Sequence, residues 1–193
     1  QADGSKVVEF KAPVVTPPPT TPPPTTPVSG LKGWQLTPTS VGLAPHGLSC
    51  ASLPEYNGPV SNGNFKPAAG SVISKVRISK SMNLSNGNIT IEKSCIKGNG
   101  IINNQGMVVT WEPDGCGNQC SPARGPVTIR DSEFDGSALS TQAVAYGCAL
   151  HGLATLERNY VHDLGSGFCF VNTGDQYSGS MISNYIHKLR GYG

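Results

Sequence analysis

His162, His187, Asp135 and Lys97 each stand six residues after an apolar position, namely Leu156, Met181, Ile129 and Ile91, in segments that otherwise read alike. Two residues earlier the same segments carry Tyr160, Tyr185, Glu133 and Cys95. If the four apolar positions point inward on neighbouring strands about 4.8 Å apart, these residues form two adjacent outward-facing columns within roughly 15 Å. Carboxylates, imidazoles, phenols and an ammonium would then share one face. Acid–base cleavage of a sugar chain needs such a set: a base near neutral pKa, an acid opposite it, and aromatic platforms for the sugar rings. In that reading His162, Asp135, His187 and Lys97 are the catalytic candidates, with His162 oriented by Asp135. Tyr160, Tyr185, Glu133 and Arg158 are the substrate-binding candidates. Two stacked histidines with an aspartate can also bind a metal ion. A solvated face with no ligand would carry polar residues too.

These columns require elements that repeat in register. Ile89–Gly98 and Val127–Gly136 superimpose without a gap, and the segments 154–163 and 179–188 follow the same pattern. The anchors Ile91, Ile129, Leu156 and Met181 are spaced by 38, 27 and 25 residues, the first interval holding an excursion around Cys116 and Cys120. Self-similarity near 25 residues signals a solenoid. Ser94, Ser132, Asn159 and Asn184 occupy one polar turn position, where stacked side chains would bond coil to coil. A 3.6-residue periodicity between the strands is missing, which argues against leucine-rich and βαβ architectures.

The segments NITIEKSCI, PVTIRDSEF, ATLERNYVHD and SMISNYIHK resemble coils of the right-handed parallel β-helix, the pectate-lyase-like superfamily. The run AGSVISKVRISKSMNLSNGNITIEKSCI is similar to its entry coils. The resemblance covers roughly residues 70–193 and implies an all-β fold of the solenoid type, of which this would be the N-terminal part. It implies polysaccharide lyases, glycoside hydrolases, epimerases, tailspikes and adhesins as activity classes, and fold alone does not choose among them. It also raises calcium as a cofactor, bound by clustered aspartates. Here Asp131, Asp135 and Asp163 are scattered, and the family's catalytic residues map onto no position.

Composition agrees with a turn-rich β protein. The chain of 193 residues has 24 Gly, 16 Pro and only 13% charged residues, which excludes a helical bundle or coiled coil. Its formal charge is +2, with 9 Lys/Arg against 4 Asp/Glu in residues 1–100 and 5 against 8 thereafter. Neither half is clustered enough for nucleic acid, so no nucleic-acid partner is expected. No apolar run reaches the roughly 20 residues of a membrane span.

Residues 1–12 read as the tail of a preceding domain, through Val7–Phe10. Residues 13–29 are a Pro/Thr-rich linker in which eight of the sixteen residues 13–28 are Pro, a polyproline II spacer to that upstream domain. Linkers of this type resemble those in secreted polysaccharide-degrading proteins. Residues 30–70 form an entry cap over the open end of the coils at 71–193, with Trp34 and Tyr56 either stacking on sugar or sealing a core. The coils stop at Arg190–Gly193 without a closing cap, as in a truncated solenoid. The chain opens on Gln1 with no apolar leader and reads as a processed piece of a secreted protein.

Six cysteines allow 15 complete pairings. Cys116 and Cys120 bracket Gly-Asn-Gln, which suits a local disulfide better than half a zinc site, since no second pair matches. Cys148 and Cys169 lie in apolar surroundings, either stacked in the core or bridging neighbouring coils. Even cysteine usage points to an oxidising, extracellular setting. His151 reads as structural, and His46 receives no role. The sequence therefore predicts a secreted module acting on an extracellular polysaccharide, by lyase-like acid–base cleavage or by binding without catalysis.

Overall fold

The computed structural model describes residues 32–112, 121–170 and 178–190. The tail strand at Val7–Phe10, the linker at 13–29 and the Cys116/Cys120 pair lie outside the described residues. Within them the chain is all-β, built mainly from three sheets of parallel strands. Sheet I contains Val72–Ser74, Ile89–Glu92, Val127–Arg130, Thr155–Glu157 and Ser180–Ile182, stacked in sequence order. Sheet II contains Arg77–Ile78, Cys95–Ile96, Glu133–Asp135, Tyr160–His162 and Tyr185–His187. Sheet III runs from Val60–Ser61 and Asn64–Phe65 through Met82–Asn83, Gly106–Val109 and Cys148–His151 to Ser166–Cys169. From Val72 onward the chain visits I, II and III in that order repeatedly.

The apolar spacing sets this register. Ile73, Ile91, Ile129, Leu156 and Met181 pair in line on sheet I. Ile78, Ile96, Phe134, Val161 and Ile186 do so on sheet II. Phe65, Met82, Val108, Leu150 and Phe168 align on sheet III. The three lines meet in one core, in which Ile91, Ile129, Phe134, Leu150 and Leu156 are fully buried. Met181 has the same role but is 55% exposed, because it lies on the last described strand of sheet I.

The corner between sheets I and II is fixed by two successive residues. Lys75, Lys93, Asp131, Arg158 and Ser183, each two past an anchor, all adopt left-handed backbone with φ between 48° and 55°. Such a conformation is uncommon for residues other than glycine. Hydrogen bonds at the next position hold it. The Ser94 N–H donates to Ser132 Oγ (3.2 Å), that of Ser132 to Asn159 Oδ1 (3.1 Å), and that of Asn159 to Asn184 Oδ1 (2.9 Å). The polar turn position expected from sequence is thus a continuous side-chain ladder. The left-handed residue before it carries no compositional signal and was not foreseen.

The entry segment departs from expectation. Only its second half closes the first layer. The Arg77 N–H donates to Pro54 O and the Tyr56 N–H to Arg77 O, while the Val60–Phe65 hairpin extends sheet III. Tyr56 meets Phe65 edge-on at 4.9 Å, sealing the core as one of its two expected roles required. The first half, residues 42–53, instead lies as a strap across the outer face of sheet II. Leu43 and Leu53 are buried there with Cys95, and a Cys50–Cys95 disulfide fastens them. Gly42, at φ +68°, donates from its N–H to Arg158 O at 2.7 Å, and any Cβ there would stand 2.8 Å from that of Tyr160. The strap can approach that closely only with glycine. Trp34 is 81% exposed and seals nothing.

A second disulfide joins Cys148 to Cys169 on adjacent strands of sheet III, one of the two alternatives left open for that pair. A six-residue helix, Thr141–Tyr146, interrupts the β pattern between sheets II and III; its Ala143 N–H donates to the Ser140 side chain. No helix among the described residues is long and apolar enough to cross a membrane.

Candidate functional site on the outer face of sheet II

Parallel pairing brings the two expected columns together. Asp135 stands opposite His162, and His162 opposite His187. Lys97 follows Ile96, which pairs with Phe134, so its ammonium reaches Asp135 Oδ2 at 2.5 Å. In the neighbouring column Cys95, Glu133, Tyr160 and Tyr185 are in register. The columns are not simply exposed, however. The strap covers one side, burying Cys95 in its disulfide and placing Cys50 Sγ 3.3 Å from Glu133 Oε1. Asp135 is only 6% exposed, whereas His187 is open to solvent.

His162 sits among three carboxylates. Its Nδ1 lies 2.7 Å from Asp163 Oδ2 and its Nε2 3.1 Å from Glu133 Oε1, with Asp135 Oδ1 further away at 4.0 Å. Burial favours the neutral ring, but the bonds to Glu133 and Asp163 and the charge of Asp135 outweigh it and raise the pKa above that of an ordinary imidazole. Two carboxylate partners suit a ring that donates from both nitrogens. Glu133 and Asp163 meet the two ring nitrogens, while Asp135, the orienting partner expected from sequence, stands further off. Asp163 is the partner that sequence reasoning left without a role. The signal was its place directly after His162, where a left-handed residue (φ 56°) turns the chain back.

Burial alone would raise the pKa of Asp135, but the Lys97 ammonium and the bonds from Ser137 overcome this and hold it below the usual carboxylate range. Burial, reinforced by the negative charge of Glu133 and Asp163, raises that of Tyr160, so the phenol stays protonated at neutral pH. The rings form a small terrace. Tyr160 stacks on His162 (4.6 Å), Tyr185 on His187 (5.8 Å), and the two tyrosines on each other (5.9 Å). Parallel register places each ring above its counterpart on the next strand.

Arg158 lies outside this group. Its guanidinium forms a two-pronged pair with Asp131, at 2.6 and 2.9 Å, and also touches Glu157. The buried Asp131 also faces His46 on the strap at 3.5 Å, so His46, given no role from sequence, packs against the strap's anchor point. Burial pushes the Asp131 carboxyl up, but Arg158 and His46 more than reverse this, leaving it below an ordinary aspartate. A depressed carboxyl adds stability above its unfolded pKa of about 3.9 and loses it as pH falls through the lower folded value. Asn tolerates left-handed backbone, so Asp131→Asn isolates the charge. Wild type should exceed this variant by about 1–2 kcal/mol at pH 6, and the gap should shrink at about pH 3, below the unfolded value. Parallel melting curves at the two pH values test this, and a constant gap would refute it.

His151 fits its structural expectation: its Nδ1 accepts from Trp111 Nε1 at 2.9 Å, and burial lowers its pKa. The three aspartates that the sequence scatters each take a different partner, although Asp135 and Asp163 both approach His162. Asp131 belongs to Arg158, Asp135 to Lys97 and Asp163 to His162.

No family model matches the chain, and no curated protein or solved structure matches it either. Function must therefore be argued from the face itself.

Proposed function

We propose that the chain is a right-handed parallel β-helix of pectate-lyase-like descent whose sheet II face binds an extracellular polysaccharide. The fold reading rests on three parallel sheets visited in fixed order and on the Ser/Asn ladder at one corner. The ring terrace of Tyr160, Tyr185, His162 and His187 carries the functional reading. Flat aromatic faces offer apolar area with a polar edge, which suits a sugar ring whose C–H face and hydroxyls point in different directions. The two disulfides fit an oxidising compartment. Affinity electrophoresis through pectin, alginate and glycosaminoglycan gels tests the proposal. Tyr185→Ala should weaken retention about tenfold, or ~1.4 kcal/mol. Equal retention of wild type and variant would discard the terrace.

A second reading, lyase-like cleavage, draws on His162, whose carboxylate partners favour the protonated ring that a general acid needs. It needs a separate base, because Asp135 and His162 are both engaged in the resting face. Ultraviolet-absorbing unsaturated uronate released by wild type and lost in His162→Ala would favour this reading over binding alone.

A further inference from the structure

We propose that Asp135, His162 and Asp163 form a binding site for a divalent transition-metal ion of the zinc class. One donor atom from each lies within 4.8 Å of the other two. Around one ion with ligands at about 2.0–2.2 Å, donors stand roughly 3–4.4 Å apart, so small side-chain rotations suffice. Two of the three ligands are paired residues on adjacent strands, and the core-packed Phe134 and Val161 precede them.

The argument does not rest on acidity alone. The ring nitrogen away from Asp135 and Asp163 faces Glu133 Oε1 at 3.1 Å. A metal-bound histidine characteristically donates its other N–H to a carboxylate, which fixes the tautomer and aims the free nitrogen at the ion. Here Glu133 would hold Nε2–H and turn the Nδ1 lone pair toward Asp163 and Asp135. Asp135 is positioned in turn by Lys97 on Oδ2 and by the Ser137 N–H on Oδ1 (2.8 Å). Charge points the same way. Once the ion has displaced any Nδ1 proton into solvent, the carboxylates of Glu133, Asp135 and Asp163 outweigh the Lys97 ammonium by two, which one divalent ion balances. Asp163 is the most exposed of the three ligands, so water or a ligand oxygen can complete the coordination from its side. An imidazole with two carboxylates selects zinc-like ions over calcium, which prefers six or more oxygens. The site uses Asp163 where sequence reasoning had paired His162 with His187.

Calorimetric titration of the chelator-treated full chain with zinc chloride tests the proposal, with circular dichroism of each variant as the control for folding. One ion per chain should bind. Asp163→Asn should weaken binding at least tenfold while retaining the fold, and His162→Gln should abolish it. His187→Gln should bind like wild type. Absence of zinc binding, equal loss in His187→Gln, or tighter binding of calcium than zinc would each overturn the proposal.

Discussion

Replacing Asn159 with alanine is expected to cost about 3–5 kcal/mol, because several buried groups lose their partners together. Asn159 is fully buried, its Nδ2 donates to Ile129 O (2.8 Å) and Asn184 Oδ1 (2.9 Å), and its Oδ1 accepts from the Ser132 N–H. Alanine would strand the Ser132 donor and the Ile129 carbonyl in the dry corner, at about 1–3 kcal/mol each. Asn159→Ser is the informative companion. Serine already fills this position at 94 and 132, and its oxygen can still accept from the preceding coil, so the expected loss is about half. Denaturant unfolding of both variants decides the matter. A loss below about 1 kcal/mol for alanine would mean that water replaces the ladder.

The second large effect is expected at the strap. Cys50 and Cys95 are separated by 45 residues, and opening a loop of that size releases roughly 4 kcal/mol of chain entropy in the unfolded state. Alanine at both positions is the suitable change, since Cys95 is fully buried and serine would bury a hydroxyl there. The loss should also be local in part. Once the disulfide is gone, the strap keeps Leu43 and Leu53 packed on sheet II, the Gly42–Arg158 hydrogen bond and the His46–Asp131 contact. The variant should melt earlier, and its residues 43–53 should exchange amide hydrogens faster than sheets I and III. Protection in the strap equal to that of wild type would show that packing alone fastens it. Because the strap shields the Glu133 side of His162, the same variant should also alter glycan retention.

The sequence made the register of the stack legible, because one apolar anchor per repeat suffices to align parallel strands. Ile91, Ile129, Leu156 and Met181 pair as their spacing demands, and the columns four and six residues later follow automatically. The Ser/Asn ladder was legible for the same reason. What lay hidden depends on contacts between distant segments. Nothing in the chain near Cys50 singles out Cys95, so neither the strap nor the burial of Asp135 could be foreseen. Arg158 resembled a free surface cation because its partner Asp131 belongs to the previous repeat, 27 residues away. The partners of His162 depended on which of three acids met each nitrogen, and side-chain geometry decides that where spacing cannot.

The neighbour-only pairing of the strands carries a kinetic consequence. Among the described residues, each parallel strand of sheet I bonds only to the strands on either side of it, and Val72–Ser74 and Ser180–Ile182 each have one such partner. Opening can therefore begin at Ser180–Ile182 and advance one layer at a time until it meets the strap, which ties Cys95, Asp131 and Arg158 across three layers. Amide exchange should then form a slope along the stacking axis, steepest where Met181, Ile186 and Leu189 are left partly exposed and shallowest around Ile129 and Phe134.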